Sequence, residues 1–397
     1  MNDTPQKPRF PAVIAAIVAI IILVPSLLYV FRDSLPESSL VTLGERAFGE
    51  LSADQAATEE ALSGKGGSAN ESKLSAYPIV ADEFPYPEYI EKYEYLYEGT
   101  LPDLSTIDPT VYRRVGTLAL PSSVSSAFSD LTLGILPLSG FQNLELLNFS
   151  LAEEDDNGYS VNVDIASNSF SVSRNQGYWL TFDYGRTLKA SDIPSDESLI
   201  NTTNQFFRDF GIDLSGFGTP LVDRSYLDLD TWIPESMNVI YPYLVNGLNV
   251  WSTWGQPSGM SATVNVRTGE VDGFWTMGPS TLEASTYALA NDPSEILEIA
   301  SRGGLEEYVP ENPTVIYTYT LGEPEIILAE HYQSADDGTF SALYVPAFKF
   351  PVTQEDPDAP YHQRSWVVVP LVQDILDEAA PVPMILEEDL ERTEIEK

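Results

Sequence analysis

The sequence predicts an α+β fold: an N-terminal transmembrane helix followed by antiparallel-sheet domains that hold two helix-then-strands units. Three observations predict it. Residues Phe10 to Phe31 form an uncharged apolar run. Strand-like alternation dominates from Tyr77 onward. Two amphipathic helices, near 195–211 and 292–303, are each followed by several strand-like runs.

The apolar run comes first. A helix of about 22 residues rises far enough to span the roughly 30 Å hydrocarbon core of a bilayer. Lys7 and Arg9 precede the run, while Arg32 is followed closely by Asp33 and Glu37. The positive-inside rule then leaves residues 1–9 as a cytoplasmic tail and places the rest outside. The run is longer than a usual signal-peptide core and no A-x-A-like cleavage site follows. On this reading the chain is a single-pass signal-anchor protein of the cell membrane, with its C-terminal part extracytoplasmic and the lipid bilayer contacted through residues 10–31.

Residues 32–76 read as a juxtamembrane stalk and linker. SGKGGSANESK (Ser63–Lys73) has the composition of a flexible linker. Leu40, Leu43, Ala47, Phe48 and Leu51 fall near helical spacing, the mark of a short helix or of stray apolar residues in a disordered stalk. Residues 77–177 form a β-rich region. Tyr93, Tyr95 and Tyr97 alternate with polar or aliphatic neighbours, the period of a half-buried strand. Asn143–Leu151 and Tyr159–Ile165 flank EEDDNG, whose Asn157-Gly158 pair signals a hairpin. Phe170–Ser173 and Tyr178–Phe182 extend this into a meander.

The first helix-then-strands unit occupies 178–280. Leu199, Ile200, Thr203, Phe206, Phe207 and Phe210 trace one helical face, with Ser195 or Asp196 at the cap and Gly211 at the end. Strands are expected over Asn238–Val250 and Ala262–Val271. The second unit occupies 281–377. Asp292 caps a helix with Pro293 in its first position, and Arg302 precedes Gly303. Strands are expected over Thr314–Leu321, Ile326–Gln333, Phe340–Phe350 and Trp366–Leu371, with a turn at Asp337-Gly338. Residues 378–397 form an acidic tail.

Composition excludes several chemistries. The chain has 397 residues, no Cys and two His, and a formal charge of −40. It therefore has no disulfide, thiol nucleophile or cysteine-ligated metal. Its charge is strongly unfavourable to nucleic acid. No segment fits a phosphate-binding loop, a nucleophile elbow or a zinc-binding helix. No catalytic, cofactor-binding or metal-binding residue is assigned. Asp228 and Asp230 beside Trp232 could serve a carboxylate-dependent glycan hydrolase, but a solvated strand edge explains them as well. Polar turn chemistry accounts for the acidic clusters Glu153–Asn157 and Asp336–Asp337, neither of which fits a calcium-binding loop. His331 and His362 fall on different elements. Tyr241, Tyr243, Trp251 and Trp254 crowd around NGLNVWSTWG, either as core or as a partly exposed patch for a partner; they are the candidate partner-binding residues.

The stretches YPYLVNGLNV (Tyr241–Val250) and PSGMSATVNVRTGEV (Pro257–Val271) resemble the closing hairpin of PepSY-like domains. They also resemble the extracytoplasmic domains of YycH/YycI-type accessory proteins of bacterial sensor kinases. Val264, Val266, Thr268, Gly269 and Val271 match that pattern, and Asn265 stands where an Asp is common. YVPAFKFPV (Tyr344–Val352) and WVVVPLV (Trp366–Val372) look like strands of the same kind, so the resemblance covers about residues 178–375. It implies no catalytic residues. It implies instead a binding or regulatory role, with an envelope protein or sensor kinase as partner. The competing expectations are a membrane-anchored glycan hydrolase, its site lined by Trp232, Trp251 or Trp254, and an acidic, cation-stabilised surface module.

Overall fold

The computed structural model describes residues 40–51, 90–115, 147–165, 167–179, 187–224, 233–278, 281–305, 313–334, 340–359 and 364–378, with a few isolated positions between them. Strands dominate, in two large sheets. The first takes β1 (Leu40–Thr42), β2 (Glu91–Leu96) and β3 (Thr110–Val115) from the N-terminal part. A separate two-stranded pair is formed by β4 (Thr132–Leu133) and β5 (Leu136–Pro137). The second sheet takes β6 (Asn148–Ala152), β7 (Tyr159–Asp164), β8 (Ser169–Arg174), β9 (Leu221–Val222) and β10 (Ser236–Pro242). The hairpin β11 (Leu244–Val245) and β12 (Leu248–Ser252) returns to the first sheet. Strands β13 (Gly259–Asn265) and β14 (Val271–Met277) complete the second. The first then gains β15 (Thr281–Thr286), β16 (Val315–Leu321), β17 (Glu325–Ser334), β18 (Phe340–Gln354) and β19 (Trp366–Pro370). The helices are the single turn α1 (Gln176–Trp179), then α2 (Asp196–Asp209), α3 (Pro293–Ser301) and α4 (Gln373–Glu378).

The ten-stranded sheet is mixed and built around β18. Along one side β18 pairs with β17 and then β16, and along the other with β3 and β19. Residues 343–350 of this strand are buried on both faces, as a near-continuous apolar run requires. Leu343, Val345 and Ala347 enter one core, while Phe348 and Phe350 enter another with Tyr95, Tyr319 and Ile296 of α3. The strand runs on through Pro351, which has no N–H to offer. Its neighbour is irregular there: β17 gives way to β16 at Gly322–Pro324, and the Gly322 N–H donates to the Pro351 carbonyl at 2.8 Å.

The seven-stranded sheet is antiparallel throughout, in the order β6-β7-β8-β14-β13-β10-β9. Helix α2 lies across β10, β13 and β14 and buries Leu199, Thr203, Phe206 and Phe207 against Met237, Val239, Met260, Ala262 and Phe274. Its start is held by Ser195, whose hydroxyl accepts from the Ser198 N–H at 3.3 Å. Gly211 leaves it at φ +67°, the left-handed stop that the sequence signals.

The expected α+β architecture of two helix-then-strands units is corrected by this topology. Helix α2 covers an all-antiparallel sheet, whereas α3 packs on β2 and β19 of the mixed sheet. Three parallel pairings, β1 with β15, β2 with β16 and β12 with β17, join segments far apart in sequence. Local periodicity carries no trace of such pairings, so a pattern seen twice along the chain is not repeated in space. Two local elements also differ from expectation. Tyr178 lies in the turn of α1 rather than in a strand. Leu40–Leu51 is neither helix nor loose stalk: β1 pairs with β15, Leu51 is fully buried, and the Phe48 N–H donates to the Tyr287 hydroxyl at 3.0 Å.

The membrane reading is corrected as well. No helix among the described residues is long and apolar enough to cross a membrane. The longest, α2, has 14 residues and carries Asp196, Glu197, Arg208 and Asp209. Phe10–Phe31 lies outside the described residues, and an apolar run of spanning length is a cue to a helix rather than the helix itself. The expected single-pass signal anchor, cytoplasmic tail and extracytoplasmic placement therefore have no spanning helix among the described residues to rest on.

Candidate binding groove

Where α2 meets the turn between β13 and β14, an open groove of about 750 Å³ forms. The turn is set by its own residues. The Asn265 side-chain oxygen accepts from the Arg267 N–H at 2.9 Å and the Thr268 N–H at 3.3 Å, and Gly269 takes φ +69°. Beyond it the β13–β14 register shifts between Thr263 and Val264, so β14 carries one extra residue, Asp272, between Val271 and Gly273.

One wall of the groove is the polar side of α2: Glu197, Asn201, Gln205 and Asp209 recur at helical spacing. The opposite wall is Glu270 with the end of β8, where Arg174 projects. Its guanidinium lies over the rings of Tyr159, 4.3 Å from the centroid, and Tyr178, at 4.5 Å. It donates to the Asn157 carbonyl at 2.7 Å and to Glu270 Oε2 at 2.8 Å. Arg174 is therefore held by a carboxylate, a carbonyl and two aromatic faces. The floor is aromatic. Tyr159 packs at 5.4 Å from Phe206 and 5.5 Å from Phe210, and Phe210 is left 53% exposed at the helix end.

The charged residues in the lining are Glu197, Asp209, Glu270 and Arg174; Arg208 donates to the wall residue Gln205 at 2.7 Å, and the Gln205 amide donates to Asp209 at 2.6 Å. Behind the turn, Asp272 is 6% exposed. Its Oδ2 accepts from Asn265 Nδ2 at 3.1 Å, while Oδ1 is buried without a hydrogen-bond partner. Burial raises its carboxyl to about 6; the Asn265 hydrogen bond and the nearby Arg174 oppose that rise and the Glu270 charge adds to it. Burial likewise pushes the Tyr159 hydroxyl up to about 12, and that hydroxyl donates to the Val271 carbonyl at 2.8 Å.

The residues singled out from the sequence do not share one surface. Tyr241 is 2% exposed, and its hydroxyl shares a 2.6 Å hydrogen bond with Thr203 of α2 and donates to Asn204 at 3.0 Å. Trp251 is buried in the ten-stranded sheet, where Lys349 Nζ lies 3.8 Å from its ring centroid and 4.2 Å from that of Trp366. Tyr243 is half-buried at the junction of the sheets, stacked on Phe217 with ring centroids 5.4 Å apart. Trp254 faces solvent, 56% exposed. Asp228, Asp230, Trp232, His362 and Asp336–Asp337 lie outside the described residues. His331 is fully buried on β17. Glu153 and Asp155 bind backbone N–H groups of their own turn. Among the described residues no group of three or more His, Asp or Glu side chains converges to hold a metal.

Sequence reasoning did find the turn of this groove, through Thr268-Gly269, but not its partners. Glu270 and Arg174 are 96 residues apart and meet only because β8 and β14 pair. The Asn246-Gly247 turn between β11 and β12, with φ +50° and +81°, also went unread inside a single expected strand, although Asn-Gly is its plain signal.

No protein-family model matches the chain, and no curated protein is significantly similar to it. Among solved structures, an uncharacterized protein from Eubacterium rectale ATCC 33656 is similar at 8% identity, over 68% of this chain and 85% of that one. The TM-score is 0.28, too low for that likeness to bear on fold or function.

Proposed function

We propose that this is a non-catalytic binding protein that captures a cationic segment of a protein partner in the groove between α2 and the 266–270 turn. The observation that carries this reading is the charge of the groove. Three carboxylates line it, and the cation in the lining, Arg174, is already engaged by Glu270, Asn157 and two tyrosine rings, which leaves Glu197 and Asp209 facing it across the groove. A Lys or Arg side chain entering there meets Glu197 and Asp209 while its aliphatic stem lies on Tyr159 and Phe206. The net charge of −40 draws such a segment in from a distance and speeds encounter at low salt.

Fluorescence anisotropy tests this with a labelled peptide of alternating Lys and Leu and a counterpart with Glu in place of Lys. The cationic peptide binds, less tightly as salt rises, and the acidic one does not. The double variant Asp209→Asn, Glu270→Gln weakens binding at least tenfold. Equal binding to the variant assigns the interaction to diffuse surface charge and removes the groove from the account.

A further inference from the structure

The seven-stranded sheet is covered by α2 on one face. On the other, the register lines up Leu221, Ile240, Ser261, Trp275, Ser171, Asn162 and Ser150 in one row across the seven strands. The next row, running from Asn238 through Thr263, Gly273, Ser173 and Ser160, has the same character. Neither row holds a charged residue, in a chain where 20% of residues are charged. Near the centre Trp275 is 45% exposed. Both of its ladder partners are serines, and on its own strand Gly273 stands two residues before it and Met277 two residues after, so the indole is open towards the serines and Gly273 and flanked by one apolar side chain. Position 273 does not admit a side chain: a Cβ there would meet the Val172 carbonyl oxygen at 2.2 Å.

We infer that this face binds a neutral oligosaccharide chain, with Trp275 as its stacking platform. A pyranose ring offers an apolar C–H face and a rim of hydroxyls. The sheet offers one open aromatic among hydroxyl and amide side chains that both donate and accept. Charge selects among occupants. An acidic polysaccharide is repelled by a net charge of −40, and the carboxylate in line with the rows, Asp223, stands at the sheet edge beyond Asn238 rather than beside the indole. A protein partner or second copy needs a contiguous apolar core to its interface, and here Leu221 and Ile240 lie side by side at the sheet edge while Ser261 separates them from Trp275. Six strand spacings give a track of about 29 Å, room for several sugar units. This site is separate from the groove, which lies on the opposite face of the sheet.

The test is affinity electrophoresis of the full chain in native gels cast with laminarin, barley β-glucan, dextran, galactomannan or arabinoxylan, with polygalacturonate as the charged comparison. At least one neutral polymer retards the protein and polygalacturonate does not. Trp275→Ala, at an exposed position, lowers the association constant about tenfold or more. Ser171→Arg, which sets a bulky charge beside the indole, does the same, and Trp254→Ala leaves retardation intact. Absence of retardation in all five neutral gels overturns the inference, as does retardation that survives Trp275→Ala. Self-association in sedimentation equilibrium that Trp275→Ala abolishes overturns it in favour of a second copy of the chain.

Discussion

Asp272 offers the sharpest test of how the groove is built. Its carboxyl is 6% exposed, has one oxygen without a partner, and titrates at about 6 rather than 3.8 because burial disfavours its charge. That gap corresponds to about 3 kcal/mol of penalty on the native state once the group is ionised. The native protein holds the proton more tightly than the unfolded chain, so between pH 4 and 6 it binds more protons. The stability contributed by this site is full below pH 4, falls as pH rises through 6, and is flat above. Asp272→Asn removes the charge and keeps an oxygen for the Asn265 amide. The added N–H replaces a protonated carboxyl that also lacked an acceptor, so the two proteins differ little in acid. In urea unfolding followed by far-ultraviolet circular dichroism, the variant matches the parent near pH 4 and exceeds it by about 2–3 kcal/mol at pH 7.5. A gap that does not change with pH, or a variant less stable at pH 7.5, would show that Arg174 already compensates the charge and that the turn carries no such cost.

Other substitutions check the packing around the two sites. Tyr241→Phe removes the hydroxyl shared with Thr203, which keeps the Leu199 and Ile200 carbonyls as acceptors, and lowers stability by about 1 kcal/mol in thermal unfolding. Trp251→Ala opens a cavity under Lys349 and costs about 3–5 kcal/mol, whereas Glu325→Gln, at a carboxylate 64% exposed, changes stability by less than about 1 kcal/mol. Gly269→Ala meets no atom within 4 Å but forces an L-residue to φ +69°, so it costs about 1 kcal/mol by strain alone; amide exchange in 265–270 quickens accordingly.

What was legible in the chain is what short spacings determine. The β6–β7 hairpin forms where the flanking alternation places it, but its loop is held by Asp155 and Glu153 accepting from the Asn157 and Tyr159 N–H groups, and neither Asn157 nor Gly158 takes the positive φ of an Asn-Gly turn. Both principal helices begin at their signalled caps: Ser195 accepts from Ser198, and Asp292 accepts from the Ser294 N–H at 2.9 Å. Gly269 turns the chain where Thr268-Gly269 implies. What was not legible depends on partners distant in sequence. Leu40–Thr42 pairs with Leu282–Ala284, and the parallel ladder of β2 on β16 stacks Tyr95 on Tyr319 at 5.2 Å. Aromatic density around 241–254 read as one group, either core or a partly exposed patch. The strand alternation there splits it instead, sending Tyr241 under α2 and Trp251 into the other sheet and leaving Trp254 outside. Trp275 drew no notice because a lone tryptophan in a strand looks like core until the register shows small polar neighbours on both sides.

Hydrogen–deuterium exchange of the full chain with and without the Lys–Leu peptide tests the central claim most directly, because it reads the location of binding and not its strength. The account predicts slowed exchange confined to α2 and residues 266–271, lost in the Asp209→Asn, Glu270→Gln variant. Protection spread over other acidic surfaces, or protection that persists in that variant, would contradict it.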